Sequence, residues 1–228
     1  AEASDVYEAY RHTRRWNMRE RLQGEHDTLG LYLTNHPIDE YEDEIKYLTS
    51  ARIAQLKPDK GNQKVVGLLV DMRVMKTRRG DNMAILTLDD RTGRVDVAMF
   101  SDVYNECREK LVKNTLMVVD GQISNDDYSG GLKVRADSIQ TLDEARQNAV
   151  RSLRIALEAS RLNHDFAERL AETLASHRGE SCPVFIEYRR RDAKGQLMLG
   201  KEWRVTPSAD LIQKLRDTYG RDKVEVLY

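Results

Sequence analysis

The sequence has no means of holding a small fold together covalently: its only cysteines are Cys107 and Cys182. Two distant cysteines are neither a disulfide framework nor the tight spacing of a zinc site, and a reducing cytoplasm is the expected setting. No apolar run reaches the length needed to cross a bilayer, so no membrane partner is expected. No basic-then-apolar leader is present, which gives no argument for secretion. The chain opens on Ala1, which reads as a processed chain or a piece of a longer one. A strong basic excess is lacking as well. Basic and acidic side chains number 9 and 12 in residues 1–63, 12 and 12 in 64–142, and 16 and 14 in 143–228. That balance excludes a tight duplex-DNA binder and leaves room only for a local, salt-sensitive patch.

Catalytic constellations are missing too. There is no P-loop, no G-x-S-x-G and no paired His-x-x-x-His. His12, His26, His36, His164 and His177 show no metal-ligand spacing, so no metal or other cofactor is expected. Asp89-Asp90 and Asp126-Asp127 are adjacent pairs whose side chains diverge in extended chain. A two-metal site needs convergent carboxylates, and turn formation is the better reading of both pairs. Cys107 falls on an amphipathic helix, where packing is expected rather than nucleophilic work.

What is present is a change of period along 228 residues. Residues 1–62 read as a helical segment. Arg11, Arg15 and Arg19 share one helix face, and Pro37 marks a boundary before Ile38, Tyr41, Ile45 and Leu48 at helical spacing. Lys57 to Asn62 is a turn-forming linker. Residues 63–142 alternate instead. Strands are predicted through Val66, Leu68 and Val70, through Ala84 to Leu88, through Val95, Val97 and Met99, from Leu116 to Ile123, and through Leu132, Val134 and Ala136. A helix capped by Ser101 runs from Asp102 to Leu111, between the third and fourth strands. Five strands with a helix at that place have the order of an OB barrel, though a generic five-stranded antiparallel barrel also fits.

Residues 143–228 read as β-α-β-β-α-β, the split βαβ arrangement. The third of these strands is predicted over Gln196 to Val205. Pro207 suits the first turn of the last helix and Gly220 its end. The fold class is therefore α+β: an OB-type barrel with an N-terminal helical segment and a C-terminal βαββαβ domain.

OB barrels bind oligonucleotides on the face of strands 2 and 3, between the loops after strands 1 and 4. The first loop here holds Lys76, Arg78 and Arg79, and the second holds Tyr128, an aromatic able to stack on a base. Arg73, Arg94, Lys133 and Arg135 are strand residues placed to line the groove. An ordinary solvated loop would carry the same charges. The last domain has the element order of an RNA-recognition module, but its third strand offers only the aromatic Trp203, which points to protein docking instead. Arg189-Arg190-Arg191 is a solvated turn or a surface for an acidic partner. An OB domain used only for protein docking remains open, as does the anticodon-binding barrel of a tRNA synthetase.

Leu29-Gly30-Leu31-Tyr32-Leu33-Thr34-Asn35-His36-Pro37, then Leu88 to Arg94, Asp126 to Lys133, and Glu202 to Ser208 resemble the C-terminal region of the bacterial replicative DNA polymerase III α subunit. The resemblance runs from about Leu22 to the end. It implies an OB domain that contacts single-stranded template, with Lys76, Arg78 and Arg79 as its basic loop. It also implies a last domain that binds the τ subunit of the clamp loader, within the polymerase III holoenzyme. Leu227 and Tyr228, apolar and terminal, suit docking or simply finish a strand. The polymerase carboxylates and metal-binding histidines of that family lie upstream of this region, and its clamp-binding peptide has no counterpart here. The resemblance thus makes this chain a non-enzymatic part of a DNA-directed DNA polymerase.

Overall fold

A computed structural model describes residues 16–30, 32–77, 79–126, 130–158, 164–189 and 193–228. Contacts divide the chain into two compact units, Ala1–Glu42 and Asp43–Tyr228. Arg11 and Arg15, of the predicted basic stripe, lie outside the described residues.

In the first unit helix α1 spans Met18–Leu29. The carboxylate of Glu25 accepts hydrogen bonds from the backbone N–H of Leu33 at 2.9 Å and of Thr34 at 3.0 Å, and from the Thr34 hydroxyl at 2.7 Å. His36 then caps a 3-10 turn, Pro37–Tyr41: its Nδ1 accepts from the Ile38 N–H at 3.2 Å, and its own N–H donates to Asp39 at 3.0 Å. The proline takes the first position because its missing N–H is one the turn would leave unpaired. Helix α2, Glu42–Leu48, belongs to the second unit from Asp43 on.

The second unit holds two hydrophobic cores. The first fills a closed barrel of β1 (Asn62–Lys76), β2 (Asn82–Asp89), β3 (Arg94–Met99), β4 (Leu116–Asn125) and β5 (Leu132–Thr141), in the order β1-β2-β3-β5-β4. Alternate residues point inward, among them Ala84, Leu86 and Leu88 from β2 and Val95, Val97 and Met99 from β3. Helix α3 (Ser101–Cys107) and the 3-10 turn after it add Cys107 and Leu111 to that core. Phe100, not the expected Ser101, is the N-cap of α3, without a side-chain cap bond, and Ser101 is already helical.

Two irregularities curve the barrel. The β1–β2 register shifts between Leu69 and Asp71, and the β4–β5 register between Asp120 and Gly121. A Cβ on Gly121 would lie 2.2 Å from the Arg135 carbonyl oxygen, so the strands close only over glycine.

The second core belongs to the last domain. After α4 (Leu142–Ala149) come β6 (Ser152–Glu158), α5 (His164–Ala175), β7 (Arg178–Cys182), β8 (Val184–Arg189), β9 (Lys194–Met198), α6 (Ala209–Tyr219) and β10 (Val224–Leu227). The sheet order is β10-β6-β8-β9. The βαββαβ order holds, but not the split arrangement. β6 and β8 lie side by side and parallel, with no strand between them, and β7 is an addition outside that sheet. The expected strand over Gln196 to Val205 stops at Met198. Gly200 leads into a 3-10 turn, Lys201–Trp203, and Val205 then bridges Arg178 and Cys182. Ser208 caps α6, its side chain accepting from the Leu211 N–H at 3.2 Å, so Pro207 precedes the cap rather than entering the first turn. Gly220, at φ +102°, ends the helix as expected.

Candidate nucleic-acid interface

The pairing registers place outward side chains of four strands in rows. One row reads Arg73 on β1, Ile85 on β2, Ala98 on β3 and Arg135 on β5. The next reads Asp71, Thr87, Asp96 and Lys133. A third reads Leu68 on β1, Asp89 on β2 and Arg94 on β3. These rows cover the strand 2 and 3 face predicted to bind, and the structure separates its cations by what neutralises them.

Arg94 Nε lies 2.8 Å from Asp89, and Lys133 lies 3.4 Å from Asp126. Asp71 takes Lys113 at 2.7 Å and Arg73 at 3.4 Å. The Lys113 hydrogen bond, before all other causes, lowers the Asp71 pKa, so Asp71 is charged at neutral pH and offsets part of the Arg73 charge. Thr87 donates to Asp96 at 2.8 Å. Among the described residues, no ion pair joins Lys76, Arg79 or Arg135 to an acid. The positive field therefore concentrates at the β1–β2 loop and the first row. Arg94 stands four residues along β3 from Ala98, roughly 13 Å away in extended chain.

The β1–β2 loop is closed by its backbone. The Thr77 N–H donates to the Asp81 carbonyl at 2.8 Å and the Gly80 N–H to the Thr77 carbonyl at 3.0 Å, with Gly80 at φ +91°. Lys76 and Arg79 are exposed beside that turn. In the second loop the Asp126 N–H bonds the Gly131 carbonyl and the Gly130 N–H bonds the Asp126 carbonyl, both at 2.8 Å. Arg78, Asp127, Tyr128 and residues 190–192 lie outside the described residues.

One aromatic on this face escaped the sequence reading. Phe100 is 48% exposed at the end of β3, and the Arg135 guanidinium lies 5.8 Å from its ring centroid. The signal was available: Val95, Val97 and Met99 face inward, so position 100 falls on the outer face.

Of the residues expected to dock a partner, all three are half-buried against their own chain. Trp203 packs on the second core with Arg178 at 5.5 Å from its ring. Leu227 ends β10 opposite Ser152. Tyr228 stacks on Tyr47, ring centroids 4.6 Å apart.

Comparison with known proteins adds the lineage to this geometry. A family described as OB-fold nucleic acid binding domain matches residues 64–142, and one described as DNA polymerase III subunit alpha, C-terminal domain, matches residues 169–220. The DNA polymerase III subunit alpha of Pseudomonas aeruginosa is 47% identical over 225 residues, which are 99% of this chain and 19% of that protein. The chain belongs to the C-terminal region of the DNA polymerase III subunit alpha family. The Vibrio cholerae subunit is 42% identical over 97% of the chain, and that of Escherichia coli K12 is 39% identical over 99%. The chain spans about a fifth of the length of these α subunits, 19% and 20% for the latter two. No described helix is long and apolar enough to cross a membrane. The first match covers the barrel strands from Lys64 on, and the second runs from within α5 through α6, leaving Val150, Leu153, Ile155, Leu157 and Val224 of the second core outside it.

Proposed function

We propose that this chain holds single-stranded DNA on the outer face of its barrel and docks the τ subunit of the clamp loader through its last domain. It does so in the cytoplasm as a non-catalytic, cofactor-free part of the polymerase III holoenzyme. The observation that carries the first half is a group of cations, Lys76, Arg79 and Arg135, with no ion pair among the described residues, beside a partly offset Arg73. Arg79 and Lys76 flank a row in which Arg73 and Arg135 bracket the apolar pair Ile85 and Ala98. Phosphates would meet the cations and bases the apolar strip, without sequence preference. The near-neutral charge of the chain makes such binding weak and salt-dependent.

The test is anisotropy of a labelled oligo-dT strand at low and moderate salt, with the triple variant Lys76→Ala, Arg78→Ala, Arg79→Ala alongside. Removal of three phosphate contacts is expected to flatten the log–log salt slope by about 2 and to weaken binding severalfold. Binding unchanged in the triple variant would remove the loop from the site. No binding at low salt would leave protein docking as the barrel's role. Curated relatives covering nearly the whole chain are polymerase subunits, which favours replication over an anticodon-binding role. Docking of τ rests on that kinship, and surface plasmon resonance against purified τ would check it.

A further inference from the structure

Phe100 serves helix α3 through its backbone, as an N-cap without a side-chain cap bond. Its carbonyl accepts the first helical hydrogen bond of α3, from the Tyr104 N–H at 2.9 Å, whatever the side chain. The ring does not join the barrel core, to which Val103 and Tyr104 of the same helix contribute. A large apolar ring left 48% exposed loses the favourable transfer from water that packing would give. It stands one step beyond the Ala84–Met99 pair, at the end of the row structure where Met75 is also exposed and Met83 half-buried. Across the parallel β3–β5 pairing comes Arg135, its guanidinium 5.8 Å from the ring centroid. An exposed aromatic and a planar cation in register at the basic end of the face make a surface suited to a flat, electron-rich ring attached to an anion.

We propose that Phe100 and Arg135 form a base-stacking subsite, in which one nucleobase lies on the Phe100 ring and its phosphate is met by the Arg135 guanidinium. The proposal rests on the single-strand reading above and adds a residue to it that loop chemistry does not contain. The subsite fixes where the strand runs. It passes along the Arg73–Arg135 row near the β1–β2 loop and away from Asp89 and Asp96, whose carboxylates line the rows beyond.

The test compares two strands of equal length, oligo-dT and an abasic oligonucleotide with the same phosphates, against the whole chain and two variants. Phe100→Leu keeps an apolar side chain and loses the ring. Arg135→Lys keeps the charge and loses the plane. Wild-type chain is expected to prefer oligo-dT. Phe100→Leu is expected to weaken oligo-dT binding by about five- to a hundredfold and to leave abasic binding unchanged. Arg135→Lys should weaken both strands to a similar, smaller extent, because the phosphate it meets is present on both. Equal binding of oligo-dT by wild type and Phe100→Leu would overturn the subsite while leaving the single-strand reading intact. Equal weakening of both strands by Phe100→Leu would also overturn it, because a stacking contact has no counterpart on an abasic strand. Wild-type chain that binds neither strand would overturn the single-strand reading, and the subsite with it.

Discussion

Asp90 shows what one carboxylate does in the β2–β3 turn. It is 1% exposed, and it accepts from the Ile53 N–H at 2.8 Å, the Thr92 N–H at 2.9 Å, the Thr92 hydroxyl at 2.6 Å and the Gly93 N–H at 3.2 Å. Arg52 lies 3.1 Å away and also donates to the Asp90 carbonyl at 2.8 Å. The residue therefore closes its own turn and ties the segment ahead of the barrel to it. Turn formation was legible from Asp-Asp-x-x-Gly. The tie to Ile53 was not, because 37 residues separate the partners. Asp90→Ala would leave buried donors unpaired, and a loss of about 3 kcal/mol is expected. Urea unfolding checks it: the midpoint should fall with the slope unchanged.

Helix α4 carries the corresponding lesson for an element. Thr141 and Glu144 form a reciprocal cap: the Thr141 hydroxyl accepts from the Glu144 N–H at 3.2 Å, and Glu144 accepts from the Thr141 N–H at 3.0 Å. Glu144 also takes a hydrogen bond from Lys110, in the turn after α3, and that bond above all lowers its pKa below the ordinary 4.5, with burial opposing. A carboxyl depressed in the folded state adds stability above its unfolded value and loses it as pH falls through the folded value. The contribution should thus be complete at pH 7 and fade below about pH 4.5. Glu144→Gln keeps the cap and loses the charge. Its melting temperature is expected to sit slightly below wild type at pH 7 and to converge with it as pH falls through the lowered carboxyl pKa. The effect is small because the side chain remains 34% exposed.

At the scale of the whole second unit, Arg146 is the side chain that joins parts. Its side chain is 1% exposed; it pairs with Glu44 of α2 at 2.6 Å and with Asp143 on its own helix. Tyr228, whose hydroxyl bonds Glu44, has its pKa raised by burial first and by that carboxylate second. Its ring stacks on Tyr47 of α2. The helix before the barrel, the helix after it and the end of the last sheet thus meet around one ion pair. Arg146→Met strands the Glu44 carboxylate, and a loss of about 3–5 kcal/mol is expected. The double variant Glu44→Leu, Arg146→Met should recover most of it, which a double-mutant cycle by urea unfolding would measure. A double variant destabilised by the full sum of the single losses would remove the pair as the joint.

The sequence missed β7 and the inward face of β1, where it picks out Val66, Leu68 and Val70 while Val65 and Leu69 enter the core. It determined by itself the order of the barrel elements, the inward face of β3, and the basic loop between β1 and β2. All three follow from neighbours within a few positions: a two-residue alternation, a glycine in a turn, charges side by side. Kinship with the polymerase α subunits was legible on the same local motifs. The tertiary structure decided which strands become neighbours, since βαββαβ order fits either a split or an adjacent parallel pair and only long-range hydrogen bonding chooses. It decided as well which charges remain available. Arg94 and Arg135 look alike in sequence, yet one faces Asp89 across the β2–β3 pair and the other faces the open ring of Phe100. Face is set by the chain's own pleat; the neighbour on that face is set by register with a distant strand, and that neighbour fixes each cation's electrostatics.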